Sequence, residues 1–167
     1  MGYSTSVKTV RDGKITLQSG GGSPVTLEVA YEGEGNFSYD GNGETAARLP
    51  IYDRGVVVGV RKQADEAFRS VTFQVDLRTL TDDTAGSVID FINKTNAYSA
   101  NESTSTNSDF YTINVIYEIS AVTSLGDDHD YKITMTDCCG LYSITEGYPT
   151  TISLTFESYG TTTRATV

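Results

Sequence analysis

Residues Ile51 to Arg78 read IYDRGVVVGVRKQADEAFRSVTFQVDLR, and the end of that stretch decides the fold. Val71, Phe73, Val75 and Leu77 alternate with Thr72, Gln74, Asp76 and Arg78. This period of two places apolar groups on one face of a strand and polar groups on the other. Ahead of it, Gly55 to Lys62 is a β-branched run and Gln63 to Ala67 is a polar connection. The stretch reads as a long hairpin, or as two strands that cross between sheets.

The same period recurs on both sides. Val25, Leu27, Val29 and Tyr31 alternate with Thr26, Glu28, Ala30 and Glu32, and Tyr111, Ile113, Val115, Tyr117 and Ile119 alternate with polar residues, interrupted by Ile116. Asn36 to Tyr39 predicts a short strand, Tyr131, Ile133 and Met135 begin another, and Ile152, Leu154 and Phe156 mark the last. In Val7 to Gln18, the dipeptide Asp12-Gly13 supplies the positive φ angles of a tight hairpin turn. Only one segment has a helical period: Ala85, Val88, Ile89 and Ile92, with Asp82, Asp83 and Thr84 ahead and Lys94 behind, predict a helix over about 84–95. Asp40 to Arg48 and Asn96 to Asp109 read as long polar loops with few anchors. With 167 residues, no repeat and no internal boundary, the expectation is a single domain, 1–167. It is mostly β, an antiparallel sandwich or barrel-like fold with one flanking helix.

Charge narrows the function. The chain has 22 acidic and 12 basic residues, a formal charge of −10. Five of the bases lie in Ile51 to Arg78 among four acids, for +1, which leaves −11 on the rest. A field of that sign repels a phosphate backbone, so free nucleic-acid binding is not expected. The basic cluster also lacks interleaved aromatics and carries Asp53, Asp65, Glu66 and Asp76 among its bases. It suits either a solvated strand pair or an interface in which it meets acids on an identical neighbour. No run approaches the roughly eighteen apolar residues of a membrane span, so the expectation is a chain made in the cytoplasm without membrane insertion.

Catalytic material is sparse. His129 is the only histidine, and Gly126-Asp127-Asp128-His129-Asp130 reads as a solvated turn before it reads as a metal or triad site. Asp40, Asn42 and Glu44 offer alternate oxygens for calcium without the rest of an EF-hand pattern. Cys138 and Cys139 are adjacent, so in a strand they point to opposite faces and read as reduced thiols, with no second pair to complete a zinc site. No phosphate loop or nucleophile elbow is present. The reading is of a protein without catalysis, cofactor or metal.

The order of features carries a resemblance. DGKITLQSGGG (12–22), VTLEVAYEGEGNFSY (25–39), the 51–78 stretch, a lone short helix, a long strand and CCGLYSITEGYPTTISLTFESYG (138–160) together resemble the major tail tube proteins of long, non-contractile-tailed bacteriophages. The resemblance spans nearly the whole chain and rests on order, since none of these motifs is diagnostic alone. It implies a sandwich-like fold that closes into hexameric rings, which stack into the hollow virion tail tube through which the genome passes. The partners implied are the chain itself, with tape-measure, tail-tip and tail-terminator proteins. On this reading Arg54, Arg61, Lys62 and Arg69 contact neighbouring subunits, with Asp65 and Glu66 as reciprocal partners. The wet faces Thr72, Gln74, Asp76 and Thr112, Asn114, Glu118 become candidates for a lumen that does not hold DNA.

Three other readings stand beside it: a tail terminator or completion protein that forms one ring and stops, a monomeric carbohydrate-binding sandwich, and a hydrolase built on His129. Eleven tyrosines offer stacking platforms for sugars, but Trp is absent, and Tyr111, Tyr117 and Tyr131 fall on apolar faces.

Overall fold

The computed structural model describes residues 13–29, 37–40, 48–62, 68–78, 80, 86–119 and 130–166. The architecture is mostly β, antiparallel and sandwich-like, with one short helix. Ten strands are present among the described residues: β1 Lys14–Gln18, β2 Thr26–Val29, β3 Ser38–Asp40, β4 Arg48–Asp53, β5 Val56–Lys62, β6 Arg69–Asp76, β7 Ile113–Ile119, β8 Tyr131–Thr145, β9 Thr151–Ser158 and β10 Thr162–Thr166. Eight of them form one sheet in the order β2-β1-β7-β8-β9-β6-β3, with β10 also paired to β8, while β4 and β5 form a separate pair. The expected Asp12-Gly13 turn falls outside the described residues except for Gly13, although the strand after it is present as β1.

β8 is the spine. Its first half, Tyr131 to Cys138, pairs with β7 on one edge, and its second half, Cys138 to Thr145, pairs with β9 on the other. β10 continues the line of β9 along Tyr131 to Met135. The two runs are out of step by one residue, and the bulge is absorbed where Asp137 adopts φ 54° and Gly160 sits against Thr136. A Cβ on Gly160 would lie 2.3 Å from Thr136 Oγ1, so only glycine fits there. The corner is held by Ser158 Oγ donating to the Thr136 carbonyl at 2.8 Å and by Thr161 N–H donating to Thr136 Oγ1 at 2.9 Å.

The alternation read from the sequence sets the core. Val71, Phe73 and Val75 of β6 oppose Phe156, Leu154 and Ile152 of β9, and all six are buried. On the other half of the sheet, Ile15 and Leu17 oppose Tyr117 and Val115, also buried. Phe37 joins the halves, stacking on Tyr117 at 3.9 Å and on Phe73 at 6.4 Å between ring centroids. Each such ring removed from water contributes roughly 2–3 kcal/mol. Ile116, the apolar exception on the wet face, is buried too.

The helix is shorter than the sequence suggests. It spans Val88–Asn93, and its N-cap is Ser87, whose side chain accepts from the Asp90 N–H at 3.0 Å. Gly86 precedes it at φ 69°, packed so closely under Tyr98 that a Cβ would approach the ring to 2.3 Å. The chain turns there, which is why the period over 85–92 yields only six helical residues. Lys94 closes the helix in the left-handed conformation, φ 56°.

The polar segment after it, expected as poorly anchored, is pinned. Tyr98 is buried edge-on against Phe91 at 4.8 Å, Gly20 bridges Glu102, and Asn101 is buried. Thr112, fully buried, bonds to Ser103 Oγ at 2.7 Å and accepts from the Ser105 N–H at 2.9 Å. Thr112 therefore faces no lumen, which corrects its placement on a wet face: the strand begins one residue later, and the threonine serves the loop. Of the other loop, residues 41–47 lie outside the described set.

Candidate assembly surfaces

β4 and β5 project as an arm. They pair with each other and make no substantial contact with any other described element. The tip is a two-residue turn in which Arg54 has φ 48° and Gly55 φ 83°, the double positive φ that fits the twist of a tight hairpin. Asparagine or glycine is the usual first residue, and an arginine there costs about 1 kcal/mol of backbone strain. The sequence VVVGV does not alternate, so apolar groups fall on both faces of β5. Val56 is 65% exposed and Val58 60%, and across the turn Tyr52 is 62% exposed. An isolated two-stranded hairpin is marginal in water, and a contiguous exposed apolar surface marks an interface.

Charge on the arm is one-sided. Residues 48–62 contain Arg48, Arg54, Arg61 and Lys62 against Asp53, a net +3, leaving −13 on the rest. Arg54 and Arg61 are exposed. Lys62 closes β5, but its side chain lies outside the described residues, as do Asp65 and Glu66. Arg69 differs from expectation. It begins β6 half-buried, and its guanidinium donates to the Gly160 carbonyl at 2.8 Å, so it braces the β9–β10 bulge of its own chain.

The lumen candidates separate into two patches. Register places Thr72 opposite Thr155, Gln74 opposite Ser153 and Asp76 opposite Thr151, and β8 adds Ser143 and Thr145 to the same face, with the exposed Leu141 beside Thr155 where that face ends in an apolar row. Gln74 Nε2 donates to Ser153 Oγ at 3.1 Å. Neither Lys nor Arg occurs at any of these positions, so the face is hydroxyl-rich and mildly acidic. Asn114 and Glu118 instead lie on the half of the sheet built on β7 and β1. Asn114 Nδ2 donates to Gln18 Oε1 at 3.3 Å, and Glu118 pairs with Lys132 at 3.0 Å. Lys14, cross-strand from Glu118, pairs with Glu28 at 2.8 Å, and that bond raises its pKa, helped by the charges of both acids. This patch is a balanced charge ladder, so Glu118 brings no net negative field.

Other candidate chemistry finds little geometry. His129, Asp127 and Asp128 lie outside the described residues, as do Asn42 and Glu44. Among the described residues no group of three His, Cys, Asp or Glu is arranged to hold a metal ion. Cys138 and Cys139 are free thiols on opposite faces. Burial pushes Cys138 up to about 12, which leaves it a core residue. Of the tyrosines weighed as sugar platforms, Tyr117 is buried under Phe37 and Tyr111 is half-buried with its hydroxyl accepting from Asn101 at 3.3 Å. Tyr131 sits partly exposed at a strand end.

Sequence reasoning missed β4 as half of the arm, and the signal was the same lack of alternation in VVVGV: apolar groups on both faces imply a partner for each. No helix among the described residues is long and apolar enough to cross a membrane. The chain matches no protein-family model, no curated protein and no solved structure, so its own residues carry the functional argument.

Proposed function

We propose that this chain is a structural subunit that polymerises with copies of itself into rings and a hollow tube, the tail tube of a bacteriophage virion. The observation that carries the reading is the β4–β5 arm, whose valines are exposed on both faces and whose charge is opposite to that of the body. Such a surface is poorly suited to a monomer and well suited to a repeated contact between identical copies.

The hydroxyl-rich face of β6, β9 and β8 supports the same role. A conduit for DNA must touch the duplex without holding it, and a wall free of Lys and Arg offers no counterion release to drive binding. In this reading the lumen is drawn from Thr72, Gln74, Asp76 and their cross-strand partners, and the subunit catalyses nothing. Tape-measure, tail-tip and terminator proteins would be its partners in the virion.

Negative-stain electron microscopy over a concentration series, with sedimentation of the same samples, tests the reading. Hollow rings or tubes are the expected outcome. A terminator would stop at single rings, and a protein that stays monomeric up to about 1 mM and binds glycans would replace the proposal with the sugar-binding alternative.

A further inference from the structure

The body of the molecule carries a second apolar surface that no other described residue covers, and its chemistry matches the arm. A concavity of about 500 Å³ opens between α1 (Val88–Asn93) and β8, with Phe68, Ile92, Phe110, Tyr111, Leu141 and Tyr159 on its walls. Phe110 is 74% exposed, and Phe68 and Leu141 are each 59% exposed. Large apolar side chains this exposed and this close together mark a contact surface.

Three features describe what fits it. The lining includes Glu157 and neither Lys nor Arg, and Asp109 adjoins Phe110, although Lys94 stands over the Tyr111 ring at 5.9 Å from its centroid. An occupant that is apolar and cationic is therefore favoured. The floor is formed rather than collapsible: Tyr159 donates its hydroxyl to Ser108 at 2.7 Å, and Cys139 Sγ lies 3.4 Å from the same hydroxyl. Finally, the concavity straddles an edge of β8. Beyond Cys138 that strand pairs only with β9 among the described residues, so Leu141 to Thr145 offer backbone donors and acceptors to an incoming strand.

We infer that this concavity is the receptor for the β4–β5 arm of a second copy of the chain. The inference rests on the self-assembly reading and supplies its missing half. Pairing of arm with arm sets +3 against +3, and pairing of groove with groove sets acid against acid and hollow against hollow. Arm in groove satisfies both surfaces. Because the two surfaces differ, a joined pair still presents one unused arm and one unused groove, and the contact propagates.

The test uses two full-length double variants. One carries Val58→Asp and Arg61→Glu on the arm, and the other carries Phe110→Asp and Leu141→Lys in the groove. All four positions are exposed, and unchanged far-UV circular dichroism and melting temperature would verify the fold. Sedimentation velocity should show that each variant alone needs a concentration roughly 30-fold or more above wild type to associate. An equimolar mixture should behave differently, because the intact groove of the first accepts the intact arm of the second. It should give a species of twice the monomer mass that grows no further.

A groove variant that builds tubes as wild type does would overturn the inference and leave the tube reading standing. A mixture in which both variants remain monomeric would overturn it as well, and a single variant that associates with itself as wild type does would overturn it in favour of like-with-like contacts. Wild type monomeric at about 1 mM would overturn both.

Discussion

Asp90 is nearly fully buried, and its carboxylate is met from three directions. Ser87 Oγ donates at 2.9 Å, Thr95 Oγ1 at 2.8 Å and Asn96 Nδ2 at 2.8 Å, so one acid ties the N-cap of α1 to the turn that follows the helix. Asp90→Ala leaves those donors facing an apolar space and should cost about 2–4 kcal/mol in urea unfolding. A loss below about 1 kcal/mol would mean that water replaces the carboxylate. Cys138 makes a prediction in pH. Burial, the leading cause, pushes its thiol up from an ordinary 9.0 to about 12 in the folded chain. The unfolded chain therefore gives up that proton first, and the stability contribution is intact below pH 9 and lost as pH rises toward 12. Burial raises Tyr98 and Tyr111 in the same direction. Stability should fall by about 2 kcal/mol between pH 8 and pH 10.5, and Cys138→Ala should flatten that fall. A pH-independent wild type over that range would contradict the burial of the thiol.

At the scale of elements, the arm and the 96–109 segment exchange the roles that their sequences suggest. The polar segment is anchored by Tyr98, Asn101 and Thr112, whereas the β-branched run stands away from the core. Trypsin should cut the unassembled protein first at Arg54 and Arg61 and leave the body intact, and assembly should slow those cuts roughly tenfold or more. Equal rates in both states would place the arm outside the contact. Much of this pattern was legible. The strands with a period of two emerged where it predicts, because one of their faces is buried. β10, TTRAT, has almost no apolar residue to alternate, and β4 contains Pro50, which is tolerated because the pair stands apart from the main sheet. The start of α1 was written as Ser87-Val88-Ile89-Asp90, a serine followed three residues later by an acid ahead of an apolar pair, but the acids at 82 and 83 competed for the same role. The groove was not legible, since Phe68, Phe110 and Leu141 lie far apart in the chain and come to one concavity only in the fold.

For the molecule as a whole, the separation of charge matters more than its total. A basic arm on an acidic body favours head-to-tail order, while the face of Thr72, Gln74, Asp76 and their cross-strand partners carries neither Lys nor Arg. Placing cations on that face should change its behaviour without disturbing the fold, because Gln74 is exposed and Ser153 half-exposed. Gln74→Lys with Ser153→Lys should retain assembly and gain retention of duplex DNA at low salt in a filter-binding assay, where wild-type polymer retains none. Retention by wild type would remove the face from consideration as a conduit wall.

β8 also has a mechanical meaning. Fifteen residues at about 3.3 Å each give a beam of roughly 50 Å that belongs to both halves of the sheet. The bulge on its β9–β10 edge is clamped by Ser158, Gly160 and Thr161. Load applied along that beam pulls its ladders in shear, where many hydrogen bonds must yield together. A filament of such units would flex at the seams between copies, and each unit would move as a rigid tile.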